Sequence, residues 1–318
     1  MVERAMARSH TTGLSLAIAR RGRLVFARAY GSANLGANQA LNTAHRLRIA
    51  SISKSLTAIE IMRLVERGQL RLDQKVLGEG ALLGDRYGPA SQFADPRAKD
   101  ITVRELLEHT AGGWDNDEQD GTADPAFLQP QLDRDQLLAW TLRNIPLEHP
   151  PGTVFQYSNF GYVLLGRVIE HVTGLPYAEA MRRDVFSPAG ATSFALAASG
   201  RLPEEAGYVQ IGGEPDAAYR LPITTPGRQA APDGTPSGYA KGWAVNDIPN
   251  WWHGGSLPGT SSLLVRTADR YGPSGSEAFA WAAVTNSTDA RSGRDLDLDA
   301  LMWRLVSSIE TWPEIDLF

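Results

Sequence analysis

The 318-residue chain contains no cysteine, which excludes disulfide bonds and thiolate chemistry. It has only four lysines, which are scattered, and its arginines form no basic block. The formal net charge is -5. A protein that binds nucleic acid normally presents a clustered basic surface, so a nucleic-acid partner is not expected.

Long apolar runs are also lacking. No window approaches the roughly 18 consecutive apolar residues of a membrane span. Residues 1–10 alternate charged and small side chains and contain no apolar stretch typical of a signal peptide. The sequence therefore predicts no membrane association, and we expect a cytoplasmic location.

Several motifs of other enzyme classes are missing as well. There is no G-x-S-x-G elbow, so an α/β-hydrolase is not supported. No phosphate-binding loop or dinucleotide fingerprint is present. The acidic run at 115–120 has the wrong aspartate spacing for a calcium loop, and its twelfth position is Ala126. We expect neither a cofactor nor a metal ion.

Hydrophobic periodicity predicts strands near both ends of the chain and helices between them. Strands are expected at 13–20, 24–30, 261–267 and 278–286; helices at 51–67, 101–113, 134–143, 160–173 and 295–310. This order suits an antiparallel sheet that is flanked by helices and assembled from both ends, with a mostly helical region inserted. We expect an α/β domain formed by 1–70 and 180–318 and a mostly helical domain at 71–179. Residues 200–240 are rich in Gly, Pro and Ala, and this composition predicts mostly loop with short strands.

The first candidate motif is Ser51-Ile52-Ser53-Lys54. Residues three apart on a helix share a face, so an ammonium group at Lys54 could reach the Ser51 hydroxyl. A neutral lysine can take the proton of a serine and make it a nucleophile. A capping serine followed by a solvated lysine gives the same pattern, so this motif alone does not establish catalysis.

The second candidate is Tyr157-Ser158-Asn159, between a Pro-Pro-Gly turn and a predicted helix. A phenol can act as general acid or base when cations stabilise its charged form. The third candidate is His253-Gly254-Gly255-Ser256, where paired glycines let a strand backbone approach a ligand closely. Each motif also has a simpler interpretation. The second could be a tyrosine that packs over a helix start, and the third could be an ordinary glycine turn beside a partly buried histidine.

Together, the three motifs resemble those of the serine β-lactamase and penicillin-binding-protein superfamily, most closely its class C-like branch of esterases, D-amino-acid peptidases and β-lactamase-related proteins. The matching segments are RIASISKSLTA, FQYSNFGYVLLG and WWHGGSLPG, which stand in the family order Ser-x-x-Lys, Tyr-x-Asn and Lys-Thr-Gly or His-x-Gly. LLEHTAGG, FSPAGATSF and AVTNS resemble further landmarks. The resemblance extends over nearly the whole chain and implies a β-lactamase/transpeptidase-like fold.

The resemblance also implies roles for individual residues. Ser51 would be the acylated nucleophile, and Lys54 and Tyr157 would move the protons. Asn159 would orient Lys54 and a substrate amide. Backbone N–H groups of Ser51 and Ser256 would form the oxyanion hole, and His253 would line the substrate site. Gly254 and Gly255 would let the strand backbone approach the substrate. Trp252 could line an apolar acyl pocket, but an aromatic residue in a core is at least as common.

Two departures from the family pattern bear on the substrate. Lysine in the third motif helps to bind a substrate carboxylate, whereas His253 is mostly neutral at pH 7. The family's Gly-Gly-Leu-x-Ser-Thr-Ala segment is not recognisable between 200 and 239. We therefore expect an esterase or amidase acting on a small-molecule ester, amide or peptide. A D-amino-acid peptidase, a weak β-lactamase and a non-hydrolytic penicillin-binding or sensor protein are the alternatives.

Overall fold

The computed structural model describes residues 1–116, 124–125, 129, 131–196, 206, 209–211, 237–246, 248, 250–268, 277–289 and 295–317. The chain divides into two compact units. Unit 1 comprises Met1–Ser53, Ala197–Gly238 and Trp243–Phe318, and unit 2 comprises Lys54–Leu196 and Tyr239–Gly242. The first boundary between the units therefore lies after Ser53, earlier than the domain boundary expected at residue 70. The domain limits given above stay a prediction.

Unit 1 is built around an eight-stranded sheet in the order β3-β2-β1-β9-β8-β7-β6-β5. Its strands are β1 (Gly13–Arg20), β2 (Arg23–Asn34), β3 (Gln39–Ala40), β5 (Ser237–Ala240), β6 (Trp243–Asn246), β7 (Trp251–Leu257), β8 (Thr260–Arg266) and β9 (Phe279–Thr285). The two short strands β4 (Val209–Ile211) and β10 (Ser287–Asp289) pair in parallel as a separate sheet.

The sheet joins the two ends of the chain, as the sequence predicts. β1 and β2 form a hairpin whose turn residues Arg21 and Gly22 both have positive φ, which is the turn that suits two right-twisted strands. β1 also pairs antiparallel with β9. The prediction of an antiparallel sheet with an inserted helical region is confirmed.

Two helices of unit 1 contribute to its apolar core. Helix α1 (Val2–Arg8) and the last helix, α7 (Leu298–Ser307), bury apolar side chains in the same cluster as β1, β8 and β9. Within β1, Leu14, Leu16 and Ile18 alternate with less buried residues and enter this core. The sequence analysis predicted α7 over a longer range and did not predict α1.

Unit 2 consists mainly of helices around a second apolar core. They are α2 (Ile52–Glu66), α3 (Val103–Leu107), α4 (Arg134–Asn144), α5 (Asn159–Thr173) and α6 (Tyr177–Met181), followed by a π-helical turn at Arg182–Phe186 and preceded by 3₁₀ turns at Ala90–Gln92 and Pro96–Asp100. Helix α5 ends where expected, at Gly174 with a φ of 68°.

The helix predicted over 101–113 is wrong in its second half. It begins as predicted, with Thr102 and Glu105 in a capping box, but it ends at Leu107. His109 and Trp114 then have positive φ, which an α-helix cannot accommodate.

The predicted loop region 200–240 lies largely outside the described residues. The place expected for the family's Gly-Gly-Leu-x-Ser-Thr-Ala segment lies in the same range. Within the described ranges, region 200–240 contains β4 and β5. No helix in the described part of the chain is both long and apolar enough to span a membrane.

Candidate active site

Ser51 lies immediately before α2, at the N-terminal end of that helix. The amide of Ile52 donates to the carbonyl of Ile49 at 3.2 Å, and the amide of Ser53 donates to the carbonyl of Ala50 at 3.0 Å. Ala50 has a φ of 46°, which residues other than glycine rarely adopt. The turn thus places Ser51 next to the N-terminal end of α2, which is the positive end of the helix dipole.

Strand β7 passes very close to this turn at Gly255. A Cβ at Gly255 would lie 2.6 Å from the carbonyl oxygen of Ile49 and 2.9 Å from the amide nitrogen of Ser51, and it would collide with Oγ of Ser262. Ser262 itself donates to the Ile49 carbonyl at 2.9 Å. Only glycine leaves room for this approach, so β7 and β8 together fix the backbone that leads into Ser51.

His253 lies two residues before Gly255 and therefore on the same face of β7. It is fully buried, and its Nδ1 lies 2.6 Å from the carbonyl oxygen of Gly254. Because a carbonyl only accepts, Nδ1 carries the hydrogen. Trp252 and Ser256 project to the opposite face, where Trp252 packs against the core of unit 1. The structure thus does not bring the Trp252 side chain together with His253.

In unit 2, the tyrosine motif is held rigidly where α5 begins. Ser158 is the N-cap of α5: its Oγ accepts from the Gly161 amide at 3.0 Å and donates to the Trp114 carbonyl at 2.6 Å. Its own amide donates to Nδ1 of His109 at 3.0 Å. Ser158 therefore has the capping role that its position indicated, and its bonds fix the backbone between Tyr157 and Asn159.

Lys54 comes together with Tyr157 and Asn159 within unit 2. Its Nζ donates to Oδ1 of Asn159 at 2.5 Å and lies 4.6 Å from the ring centroid of Tyr157. The ring of Tyr162 is 5.8 Å from the same nitrogen. Lys54 is only 6% exposed, and a buried ammonium group requires such oxygen and aromatic neighbours. The lysine of the first motif thus meets the tyrosine and asparagine of the second.

Asn159 connects Lys54 to a buried carboxylate. Its Nδ2 donates to Oδ2 of Asp124 at 2.7 Å, and Nδ2 of Asn116 donates to the same oxygen at 2.9 Å. Oδ1 of Asn116 accepts from the Asn159 amide at 2.7 Å, and the Asn116 amide donates to the Tyr157 carbonyl at 2.9 Å. Asp124 and Asn116 could not be assigned to the site from the sequence, because no spacing rule connects them to the motif.

Further aromatic side chains enclose Tyr157. The ring centroid of His109 is 4.3 Å from that of Tyr157, 5.0 Å from that of Tyr162 and 4.7 Å from that of Tyr239. Tyr162 donates to the carbonyl of Leu107 at 2.9 Å. Burial raises the pKa of Tyr162 and of Tyr239 far above the usual phenol value, and the Tyr157 phenol adds to both shifts. Both residues are therefore neutral.

The turn Tyr239–Gly242 packs against α2 within unit 2. Ser55 donates from Oγ to the carbonyl of Gly242 at 2.6 Å. Gly242 has a φ of 86°, and a Cβ there would collide with the Ala58 side chain and lie 3.0 Å from the Lys54 carbonyl. This close packing positions Tyr239, which the sequence analysis also missed, although the glycine following Lys241 was a visible turn signal.

The acidic run 115–120 is described only at its first two positions. Among the described residues, no group of three or more His, Asp or Glu side chains could hold a metal ion.

A family model described as Beta-lactamase matches residues 1–222. The chain belongs to the beta-lactamase family. The matched range contains Ser51, Lys54, Tyr157 and Asn159, whereas His253 lies beyond it. The resemblance inferred from the three motifs is thereby confirmed.

Two relatives are 31% identical to the chain. One is Penicillin-binding protein 4 of Amycolatopsis lactamdurans, matched over 62% of this chain and 46% of that protein. The other is Esterase EstB of Burkholderia gladioli, matched over 59% of this chain and 48% of that protein. The chain therefore matches a little under half the length of each.

Solved structures confirm the fold class. A penicillin-binding protein from Bacillus halodurans superposes with a TM-score of 0.69 at 22% identity, over 96% of this chain and 100% of that chain. A D-amino acid amidase from Ochrobactrum anthropi SV3 superposes with a TM-score of 0.65 at 21% identity, over 96% and 94%. The fold is β-lactamase/transpeptidase-like.

Proposed function

We propose that this chain is a serine hydrolase in which an ester or amide substrate acylates Ser51. One observation carries the proposal: Lys54, three residues after Ser51, is buried against the Tyr157 ring and bonded to Oδ1 of Asn159. A buried amine beside a phenol is a pair that can exchange a proton with a hydroxyl. The esterase among the relatives supports the same class of reaction.

In the acylation step, Ser51 Oγ attacks the substrate carbonyl and forms a new C–O bond. Lys54 or Tyr157 accepts the serine proton; Lys54 Nζ lies 4.6 Å from the Tyr157 ring centroid. The same proton then passes to the leaving alcohol or amine as its bond to the carbonyl carbon breaks. Water attacks the acyl-enzyme in the second step, releases the acid and restores the Ser51 hydroxyl.

The negative charge of the tetrahedral intermediate requires hydrogen-bond donors fixed in advance. We assign this role to the backbone N–H groups of Ser51 and Ser256. Two features of unit 1 support the assignment: Ser51 precedes α2, and the missing side chain of Gly255 allows β7 to approach the Ser51 amide.

The third motif favours uncharged substrates. His253 has the place of the family's lysine, and an imidazole lacks the permanent charge that attracts a carboxylate. Its Nδ1–H is already bonded to the Gly254 carbonyl. We therefore propose a small neutral ester or amide as substrate, with Gly254 and Gly255 adjoining it. Trp252 is partly buried against the core of unit 1, so its place in an acyl pocket stays a prediction from the sequence.

The test is hydrolysis of p-nitrophenyl acetate and butyrate. Ser51→Ala should abolish turnover, and Tyr157→Phe should lower it by about 100-fold or more, since general acid–base catalysis contributes that much. Tyr87→Phe is the control, because it removes a different phenol of unit 2, a buried one that donates to Asp135. Unchanged turnover in Ser51→Ala and Tyr157→Phe would refute the proposal.

The penicillin-binding relative favours a second candidate, a protein that is acylated but not deacylated. Intact-protein mass spectrometry followed with time after penicillin separates the two, and a fluorophosphonate tests in both cases whether Ser51 is reactive. A hydrolase loses the penicilloyl adduct with time, whereas a sensor retains it. D-Ala dipeptides and nitrocefin test the D-peptidase and weak β-lactamase alternatives in the same series. A cytoplasmic location and a lack of nucleic-acid binding remain predictions from the sequence.

A further inference from the structure

We propose that Asp124 is a positioning residue that sets the orientation of the Asn159 carboxamide and, through it, the place of Lys54. The proposal rests on the proposed function. Asp124 is 3% exposed and accepts from two side-chain amides, those of Asn159 and Asn116, at 2.7 and 2.9 Å. It belongs to none of the three motifs.

The carboxylate determines which end of the Asn159 amide faces which neighbour. An ionised carboxylate only accepts hydrogen bonds, so the end of Asn159 that faces Asp124 must be the NH₂ group. The carbonyl end, Oδ1, is then directed at Lys54 Nζ, 2.5 Å away. Without an acceptor at this place, the two ends of the Asn159 carboxamide are nearly equal in shape and either could face the lysine.

Asn116 completes the arrangement. Its Oδ1 accepts from the Asn159 backbone amide at 2.7 Å, which leaves its own NH₂ group for Asp124. Both NH₂ groups and the Asn159 backbone amide therefore each meet an acceptor. Turning the Asn159 side chain alone would oppose its NH₂ group to the Lys54 ammonium, two groups that both donate, and would leave Asp124 with one donor fewer.

The consequence concerns the step in which protons move. Lys54 lies 4.6 Å from the Tyr157 ring centroid, and the bond to Oδ1 of Asn159 helps to hold it there. Losing the acceptor should let the lysine shift by about an ångström, and displacements of that size can cost two orders of magnitude in rate. Substrate binding should change little, because the Asp124 side chain is buried and bonded to Asn159 and Asn116.

Two variants separate orientation from mere loss of a side chain. Asp124→Ala removes the acceptor and should lower kcat for p-nitrophenyl acetate about 30-fold, with KM within about 2-fold. Asp124→Asn keeps a carbonyl oxygen that can accept both bonds and should stay within about 5-fold of the wild type. Asp184→Asn is the matched control: it neutralises another buried carboxylate of unit 2, one paired with Arg67 and Arg183, and should leave kcat unchanged.

A double variant tests whether Asp124 acts through Asn159. In the Asn159→Ala background, Asp124→Asn and Asp124→Ala should each change kcat less than about 2-fold. If the kcat losses of the Asp124 and Asn159 variants multiply in the double variants, the proposal is overturned. Equal kcat losses in the single variants Asp124→Ala and Asp124→Asn would overturn it as well. If the alanine variant fails to fold, a loss in Asp124→Asn as large as that of Asn159→Ala overturns it as well.

A readout without turnover distinguishes this proposal from the proposed function. The side-chain NH₂ signal of Asn159 in ¹⁵N NMR spectra is assigned by its absence in Asn159→Ala. Its exchange with solvent should be at least about 10-fold faster in Asp124→Ala than in the wild type and near the wild-type rate in Asp124→Asn. If the wild type proves inactive, the function fails, and this measurement still decides the role of Asp124: equal exchange rates in all three proteins would overturn it.

Discussion

Gly255 shows how a single missing side chain can determine a site. A Cβ at this position would lie within 3 Å of the Ile49 carbonyl and of the Ser51 amide nitrogen. Both are backbone atoms of a turn that Ser262 also holds, so neither can rotate away. We predict that Gly255→Ala lowers ester hydrolysis by about 100-fold or more, because the Ser51 turn must shift.

Gly238→Ala provides the control for this prediction. No atom lies within 4 Å of a Cβ added at Gly238, so the same substitution meets open space there. Stopped assays of p-nitrophenyl acetate hydrolysis and thermal unfolding of both variants check the expectation. Wild-type turnover in a folded Gly255→Ala protein would show that the backbone around Ser51 tolerates displacement.

The residues of the candidate site differ in how far the sequence could indicate them. Lys54, Tyr157 and Asn159 belong to short motifs whose members are fixed by local geometry, so their types and spacing were visible. Asp124 and Asn116 contact Asn159 across 35 and 43 positions of the chain. No periodicity reports a contact at such a distance, and an aspartate in a polar segment reads as a solvated loop.

Helix α2 contains a charged residue that the proposed mechanism does not use. Glu60 is fully buried in unit 2. Burial, with a further contribution from the nearby Asp184 carboxylate, raises the pKa of Glu60 to about 7. Arg67 and Arg63 oppose the shift but do not cancel it. The folded protein therefore binds a proton here that the unfolded chain has already lost at neutral pH.

This shift predicts how stability changes with pH. For an acid whose pKa is raised on folding, the contribution is fully present below the ordinary value near 4.5 and is lost as the pH rises through about 7. Glu60→Gln mimics the protonated form. At pH 8 it should melt about 3 to 6 °C above the wild type, and at pH 4.5 the difference should vanish.

The matched control for Glu60 is Glu66→Gln at the end of the same helix, where the side chain is exposed. Its melting temperature should follow the wild type at both pH values. Calorimetry of the three proteins at pH 4.5, 6 and 8 measures the effect. A gap between Glu60→Gln and wild type that does not change with pH would contradict the assigned protonation.

The ends of the elements show what hydrophobic periodicity can and cannot predict. Helix α5 was predicted almost to the residue, because a serine cap and a C-terminal glycine enclose a regular apolar pattern. The segment after Leu107 carries the same kind of pattern but leaves the helix. Its backbone groups bond elsewhere: the His109 carbonyl accepts from Gln156 and the Asn116 amide donates to Tyr157. Such tertiary bonds outweigh local propensity.

At the scale of the whole molecule, the sheet of unit 1 depends on both ends of the chain. β1 pairs with β9 from Leu14↔Thr285 to Arg20↔Phe279. The core beneath it combines apolar residues of α1 and β1 with Phe279, Trp281 and residues of α7. The family match, in contrast, ends at residue 222.

We therefore predict that a fragment of residues 1–222 does not fold, although it contains Ser51, Lys54, Tyr157 and Asn159. Without β9 and α7, one edge of β1 is unpaired, and Leu14, Leu16 and Ile18 lose most of their buried partners. An unpaired apolar edge strand favours aggregation. The fragment should be insoluble or bind the dye ANS without a cooperative melting transition, whereas co-expression with residues 223–318 should restore soluble protein and ester hydrolysis. A cooperative transition of the fragment alone would show that the C-terminal strands are dispensable for the core of unit 1.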